Sequence, residues 1–269
     1  MATMTRKFSV PVEPLAHVTD RLRASEVLLD PYPHYYLENV FPADYYQALL
    51  NHLPAAGVYQ NLFEVTDLKL DHFRQRDQRD LNEGWTESLP DELRDFWDHF
   101  DQWFLGPELA SAVLDSFAEP LRARFGEKES WPAVSVESQL IRHRAGYFLG
   151  PHSDLHTKIV VLLLYLAPDR SAEHLGTSLY RPKDPEFRCP NSTHYPFDDF
   201  VRVKTAPYRP NSLLAFFRSD VSFHGLDPLS EEDVTNAGRD VIQYTLHDKQ
   251  AREAQIRARL LAAEKGAAA

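Results

Sequence analysis

The spacing of hydrophobic positions changes once along this chain. Over about residues 43–53 and 90–125 apolar residues recur at helical intervals, and after Trp131 they form short β-branched and aromatic runs separated by Pro, Gly, Asn and Asp. The first pattern predicts a helix opening at Pro42 and Ala43, where proline suits the first turn, with Leu49, Leu50 and Leu53 as its stripe. Pro90 opens another, PDELRDFWDHFDQWF, and GPELASAVLDSFAEPLRARFG predicts one further helix with Leu109, Val113, Phe117 and Leu121 in register. A short helix is expected over 20–27 and a strand over 34–40. The second pattern predicts strands over 134–143, 158–167, 177–180, 201–205, 212–217 and 240–247, followed by a charged, Ala-rich helix from Asp248. Residues 56–90 are charged and irregular and read as a solvated connection.

Helices followed by strands indicate an α+β class rather than alternating βαβ units. Neither a G-x-G-x-x-G nor a G-x-x-x-x-G-K-[ST] string is present, so nucleotide-binding folds of those kinds are not expected. The length permits a single domain: residues 1–130 as a mainly helical support, 131–248 as the strand-rich core and 249–269 as a C-terminal helix.

The formal net charge is −11, which argues against a surface that collects nucleic-acid phosphates. Cys189 is the sole cysteine, so no internal disulfide or cysteine-based zinc cluster can form, and a reducing, cytoplasmic setting is expected. The longest apolar run, 159–167, falls far short of the roughly 20 residues that span a bilayer. No apolar stretch follows the basic residues of the N-terminus, which does not read as a secretory signal.

Candidate chemistry concentrates in IRHRAGYFLGPHSDLHTKIVVLLLYL. His152 and Asp154 are two apart, a spacing that sends both side chains to one face of an extended chain. His224 lies downstream in FFRSDVSFHGLDPL, at the end of another apolar run. Two imidazoles and one carboxylate on one face of an octahedron leave positions open, the arrangement of non-haem Fe(II) sites. A second H-x-D, His99 and Asp101, falls inside a helical pattern where positions two apart diverge, and reads as surface. Arg239, fifteen positions after His224, begins RDVIQYTLH, in which alternation sets Arg239, Val241, Gln243 and Thr245 on one face. A guanidinium fork there suits a carboxylate.

Together GYFLGPHSD, SFHG and RDVIQYTL resemble the Fe(II)/2-oxoglutarate-dependent dioxygenase superfamily, in its prolyl-hydroxylase-like branch. DPYPHYYLENVFPADYYQALLNHLP resembles the strand–helix segment that opens that branch. The resemblance covers residues 130–248 and, more weakly, 30–55. It implies a double-stranded β-helix, or jelly-roll, and Fe(II) held by His152, Asp154 and His224, which would be the catalytic centre. It also implies 2-oxoglutarate and O2 as cosubstrates, allows for ascorbate, and makes Arg239 the 2-oxoglutarate anchor. Two positions depart from the pattern. The interval from His224 to Arg239 is longer than is usual in the branch, and His143 stands where many relatives have tyrosine, so Tyr147 or His143 is the candidate cosubstrate contact, with Gln243 nearby. Related halogenases have Gly or Ala in the slot that Asp154 fills, so hydroxylation or another oxidation is implied.

The substrate is expected to be a small molecule or amino-acid-like compound, with no nucleic acid or membrane partner, and nothing in the sequence sets the oligomeric state. The Pro-rich segment YRPKDPEFRCPNSTHYPFDDF reads as a binding loop or a surface excursion, with Arg181, Arg188 and His194 as candidate contacts and Cys189 as a packing residue. Two other readings fit the strands: a non-catalytic jelly-roll that binds a ligand, and a cupin-like metal enzyme independent of 2-oxoglutarate.

Overall fold

The computed structural model describes residues 13–66, 69–189, 193–234 and 238–267, the side chains of 262–267 excepted. Helices α1 (Pro14–Arg23) and α2 (Ala43–Asn51) flank strand β1 (His34–Glu38). Next come β2 (Gln60–Asn61), α3 (Leu62–Val65) and β3 (Arg76–Asp80), then α4 (Asp91–Phe104), α5 (Pro107–Ser116) and α6 (Ala118–Phe125). The strands β4 (Val134–His143), β5 (Leu149–His152), β6 (Lys158–Tyr165) and β7 (Thr177–Pro182) follow. After β8 (Phe200–Ala206), β9 (Ser212–Phe217) and β10 (His224–Leu226) come α7 (Glu231–Val234), β11 (Arg239–Asp248) and α8 (Lys249–Ala267). Among the described residues no helix is long and apolar enough to cross a membrane.

All strand pairs are antiparallel and form two sheets, one ordered β1-β9-β6-β11-β4-β3-β2 and one ordered β5-β10-β7-β8. The uninterrupted apolar run of β6 follows from its place in the larger sheet, where both faces are covered. Val160, Leu162 and Leu164 join the core beneath α1, α2, α4, α5 and α6, whereas Val161 and Tyr165 join Leu179 of β7 and Leu226 of β10 between the sheets. Period-2 alternation accomplishes the same division on β11, with Ile242, Tyr244 and Leu246 in the helix-side core and Val241 in the other.

The structure departs from the sequence expectations in four places. The first helix begins at Pro14, a favoured first-turn proline, instead of near residue 20. The single helix expected over 106–126 is two, broken at Phe117 (φ −111, ψ 28), because the Pro120 ring would clash with the carbonyl of Ser116 in an unbroken helix.

Residues 56–90 are not a solvated connection. Leu81, Trp85 and Leu89 are core residues, and RDQRD is strand β3, whose register is set by main-chain pairing with β4 rather than by apolar alternation. Thus β1, β2 and β3, from the segment where helices predominate, extend the larger sheet on both sides. Finally, Asp101 is no surface residue. Its half-buried carboxylate accepts the indole N–H of Trp85 at 2.5 Å, and burial pushes its pKa up to about 7.

Candidate metal centre

His152 ends β5 and His224 begins β10, and the two are direct partners in the antiparallel register. Partners across antiparallel strands share a face, so their rings meet at 4.3 Å between centroids. Asp154, two residues beyond His152, brings its Oδ2 to 3.6 Å from His224 Nε2. One ligand atom from each of the three lies within 4.8 Å of the others, and all three residues are buried.

The surroundings prepare these atoms as donors. His152 Nδ1 donates to Gly150 O at 3.0 Å and His224 Nδ1 to Ser222 O at 3.1 Å, which fixes the tautomer and turns each Nε2 lone pair outward. Burial lowers both imidazole pKa values, so both rings are neutral, the state a metal requires. Burial alone would raise the Asp154 pKa, but the Lys158 ammonium outweighs it and holds the carboxyl well below the usual range. Lys158 Nζ engages Oδ1 at 2.7 Å, while Oδ2 is buried with no hydrogen-bond partner among the described residues. A buried carboxylate oxygen without a partner is costly. A divalent cation among Oδ2 and the two Nε2 atoms removes that cost, so the donor set fits a non-haem iron ion.

The triad opens on a cavity of about 440 Å³, which is also lined by Arg239, His143, Tyr147 and Gln243. Arg239 is buried and held on three sides. Its Nε donates to Leu175 O at 2.6 Å, Nη1 to His143 Nδ1 at 3.2 Å and Nη2 to Thr177 Oγ1 at 3.1 Å. The Tyr165 and Tyr208 rings lie 5.3 Å from its guanidinium carbon. A guanidinium has five N–H donors, so each terminal nitrogen keeps one beyond these bonds. Burial, reinforced by Arg239 and Arg76, keeps His143 neutral and therefore able to accept from Arg239. Tyr147 stacks on His143 at 4.3 Å, and its buried hydroxyl has no hydrogen-bond partner among the described residues.

The long loop sends one of its three candidate contacts inward. His194 lines the cavity with its ring 4.7 Å from that of His152, whereas Arg181 pairs with Asp30 and Arg188 caps carbonyls of its own loop. Residues 190–192 of that loop lie outside the described residues. Cys189 is buried in an aromatic cluster with Tyr180, Phe200 and Phe223. Lys158, Thr177 and Arg76 also line the cavity and carry no motif. Only the position of Lys158 four residues after Asp154 hints at a pairing, and outside a helix that spacing implies no contact.

No family model matches this sequence, and no curated protein matches it. Among solved structures the chain is similar to a Pseudomonas putida prolyl-4-hydroxylase, with 16% identity over 87% of this chain and 99% of that one and a TM-score of 0.49. It is similar to an oxidoreductase of the 2OG-Fe(II) oxygenase family from Burkholderia pseudomallei, with 13% identity over 90% and 93% and a TM-score of 0.44. A third is HygX from Streptomyces hygroscopicus with nickel and 2-oxoglutarate bound, at 13% identity over 80% and 83% and a TM-score of 0.41. The chemistry of the site rests on its own side chains.

Proposed function

We propose that the chain is an Fe(II)- and 2-oxoglutarate-dependent oxygenase of the hydroxylase type, acting on a small molecule or amino-acid-like substrate. In this reading the orders β4-β11-β6-β9 and β5-β10-β7-β8 are the two sheets of a double-stranded β-helix, and residues 131–248 form the core of one catalytic domain. The observation that carries the reading is the unpartnered Asp154 Oδ2 beside two tautomer-fixed imidazoles, in one cavity with a buried arginine.

His152, Asp154 and His224 would hold the iron. Iron with 2-oxoglutarate and O2 supplies the oxidising chemistry, which exchanges a substrate C–H for C–OH and releases succinate and CO2. Arg239 offers its two remaining terminal N–H groups to the distal carboxylate of 2-oxoglutarate, a charge-assisted pairing pre-organised by Leu175, His143 and Thr177. His143 is engaged in that bracing, so the free hydroxyl of Tyr147 is the cosubstrate contact, and Gln243 lines the wall between. Asp154 occupies with a carboxylate the place a halide would need, which favours hydroxylation.

Calorimetric titration with Mn(II), an inert stand-in, tests the reading. Wild-type protein binds one ion and then 2-oxoglutarate, and His152→Ala loses both. A wild-type chain that binds neither overturns it.

A further inference from the structure

The cavity has a second end that 2-oxoglutarate cannot occupy while Arg239 holds it. Along the inner row of β11, Arg239 and His247 are eight residues apart, roughly 26 Å at about 3.3 Å per residue, far beyond a five-carbon diacid. The metal triad stands between the two ends, since His224 is the register partner of Leu179, two residues along β7 from the Thr177 that holds Arg239. Lys158, bonded to Asp154, is the register partner of His247. Whatever rests against His247 is therefore beside the triad.

The far wall is built by α8. Arg252, Gln255, Ile256 and Arg259 all line the cavity, at helical intervals of three, four and seven that put them on one face. Opposite them Glu137 of β4 binds the Nη2 of Arg252 through Oε2. That pair is incompletely satisfied. Among the described residues Arg252 Nη1 and His247 Nε2 are buried with no hydrogen-bond partner, and Glu137 Oε1 is 3.9 Å from His247 Nε2, too far for a hydrogen bond. Arg259 has no ion-pair partner among the described residues, whereas Arg257, on another face of α8, pairs with Glu253 at 3.8 Å. The half-buried Arg252 and the exposed Arg259 thus both line this end of the cavity, in a chain of net charge −11.

We propose that this end binds a small zwitterion of the amino-acid type, its carboxylate on Arg252 Nη1 and Arg259 and its ammonium on Glu137 Oε1. The assignment rests on the oxygenase reading and names the substrate class for it. Charge-assisted hydrogen bonds at both ends of the Glu137–Arg252 pair complete its valences. Glu137 at the same time disfavours a phosphate dianion, which would meet its carboxylate.

Protein loaded with Mn(II) and 2-oxoglutarate is titrated with the common free L-amino acids, and each one that binds is compared with its α-amide. We expect at least one to bind, the amide to bind at least about tenfold more weakly, and Arg259→Glu to weaken the acid similarly, while Arg259→Lys keeps most of the affinity. Arg259 is exposed, so neither substitution burdens folding. If Mn(II) and 2-oxoglutarate bind but no amino acid does, or amide and acid bind alike, or Arg259→Glu changes nothing, the zwitterion site is wrong and the oxygenase reading stands. If Mn(II) and 2-oxoglutarate themselves fail to bind, both fall.

Discussion

Lys158 Nζ lies 2.7 Å from Asp154 Oδ1, in a carboxylate whose other oxygen faces the two metal-competent imidazoles. Both side chains are nearly buried, at 12% and 10% exposure, so the charges are weakly screened and each depends on the other.

Replacing Lys158 by Met strands the carboxylate in the metal-free protein. A cost of about 3 kcal/mol is expected from loss of one member of a buried pair. A bound divalent ion takes over the neutralisation, so excess Mn(II) should narrow the gap to wild type. Thermal unfolding with and without Mn(II) checks this, and an equal penalty in both conditions would show that Lys158 acts only in packing.

Arg239→Lys keeps the charge and loses the fork. A single ammonium cannot reproduce bonds to Leu175 O, His143 Nδ1 and Thr177 Oγ1 and still present two donors to a ligand. Affinity for 2-oxoglutarate should fall by about tenfold or more, near 1.4 kcal/mol, with Mn(II) affinity retained. Unchanged 2-oxoglutarate affinity would remove Arg239 from the anchor role.

Gly225 follows His224 in β10, and a Cβ there would sit 2.5 Å from Leu149 O and 3.3 Å from Pro151 N, both backbone atoms of β5. Gly225→Ala must push the two strands apart and with them the His224–His152 pair. Mn(II) binding should weaken at least about tenfold although no ligand is altered. Calorimetry on the folded variant gives the answer, and wild-type affinity would mean the strands tolerate the shift.

Asp101 titrates near 7 in the folded chain, because burial disfavours its charge, against an ordinary value near 4. A raised folded pKa means the native state holds a proton that the unfolded chain has released. The associated stability is complete below about pH 4 and is lost as pH rises through about 7. Asp101→Asn keeps an acceptor for Trp85 without the charge. Its thermal midpoint should exceed that of wild type at pH 8, with the difference closing toward pH 4. A constant difference across that range would place the effect elsewhere.

The donor types and much of the strand inventory were legible along the chain. β4 and β9 have the bounds predicted from their β-branched, aromatic and apolar runs, and His152, Asp154 and His224 announce themselves by residue type and by the apolar strands around them. β10 and β5 were harder, because strands of three and four residues carry too few alternations to register. RDQRD gave no signal as β3, since a strand made by main-chain pairing at the polar margin of a sheet needs no apolar face.

By itself the sequence determined which residues could ligate a metal, which runs had to be buried, and that one face of RDVIQYTLH carries Arg239 with Gln243. Those are local properties, fixed by side-chain chemistry and a two-residue period. The tertiary structure alone decided that His224 sits opposite His152, that His143 braces Arg239 while Tyr147 is left free, that Lys158 holds Asp154, and that α8 faces the triad's cavity with two arginines. Each of these depends on strand register or helix docking between segments far apart in the chain, which is set by the burial of whole faces and leaves no trace in the spacing of any one segment.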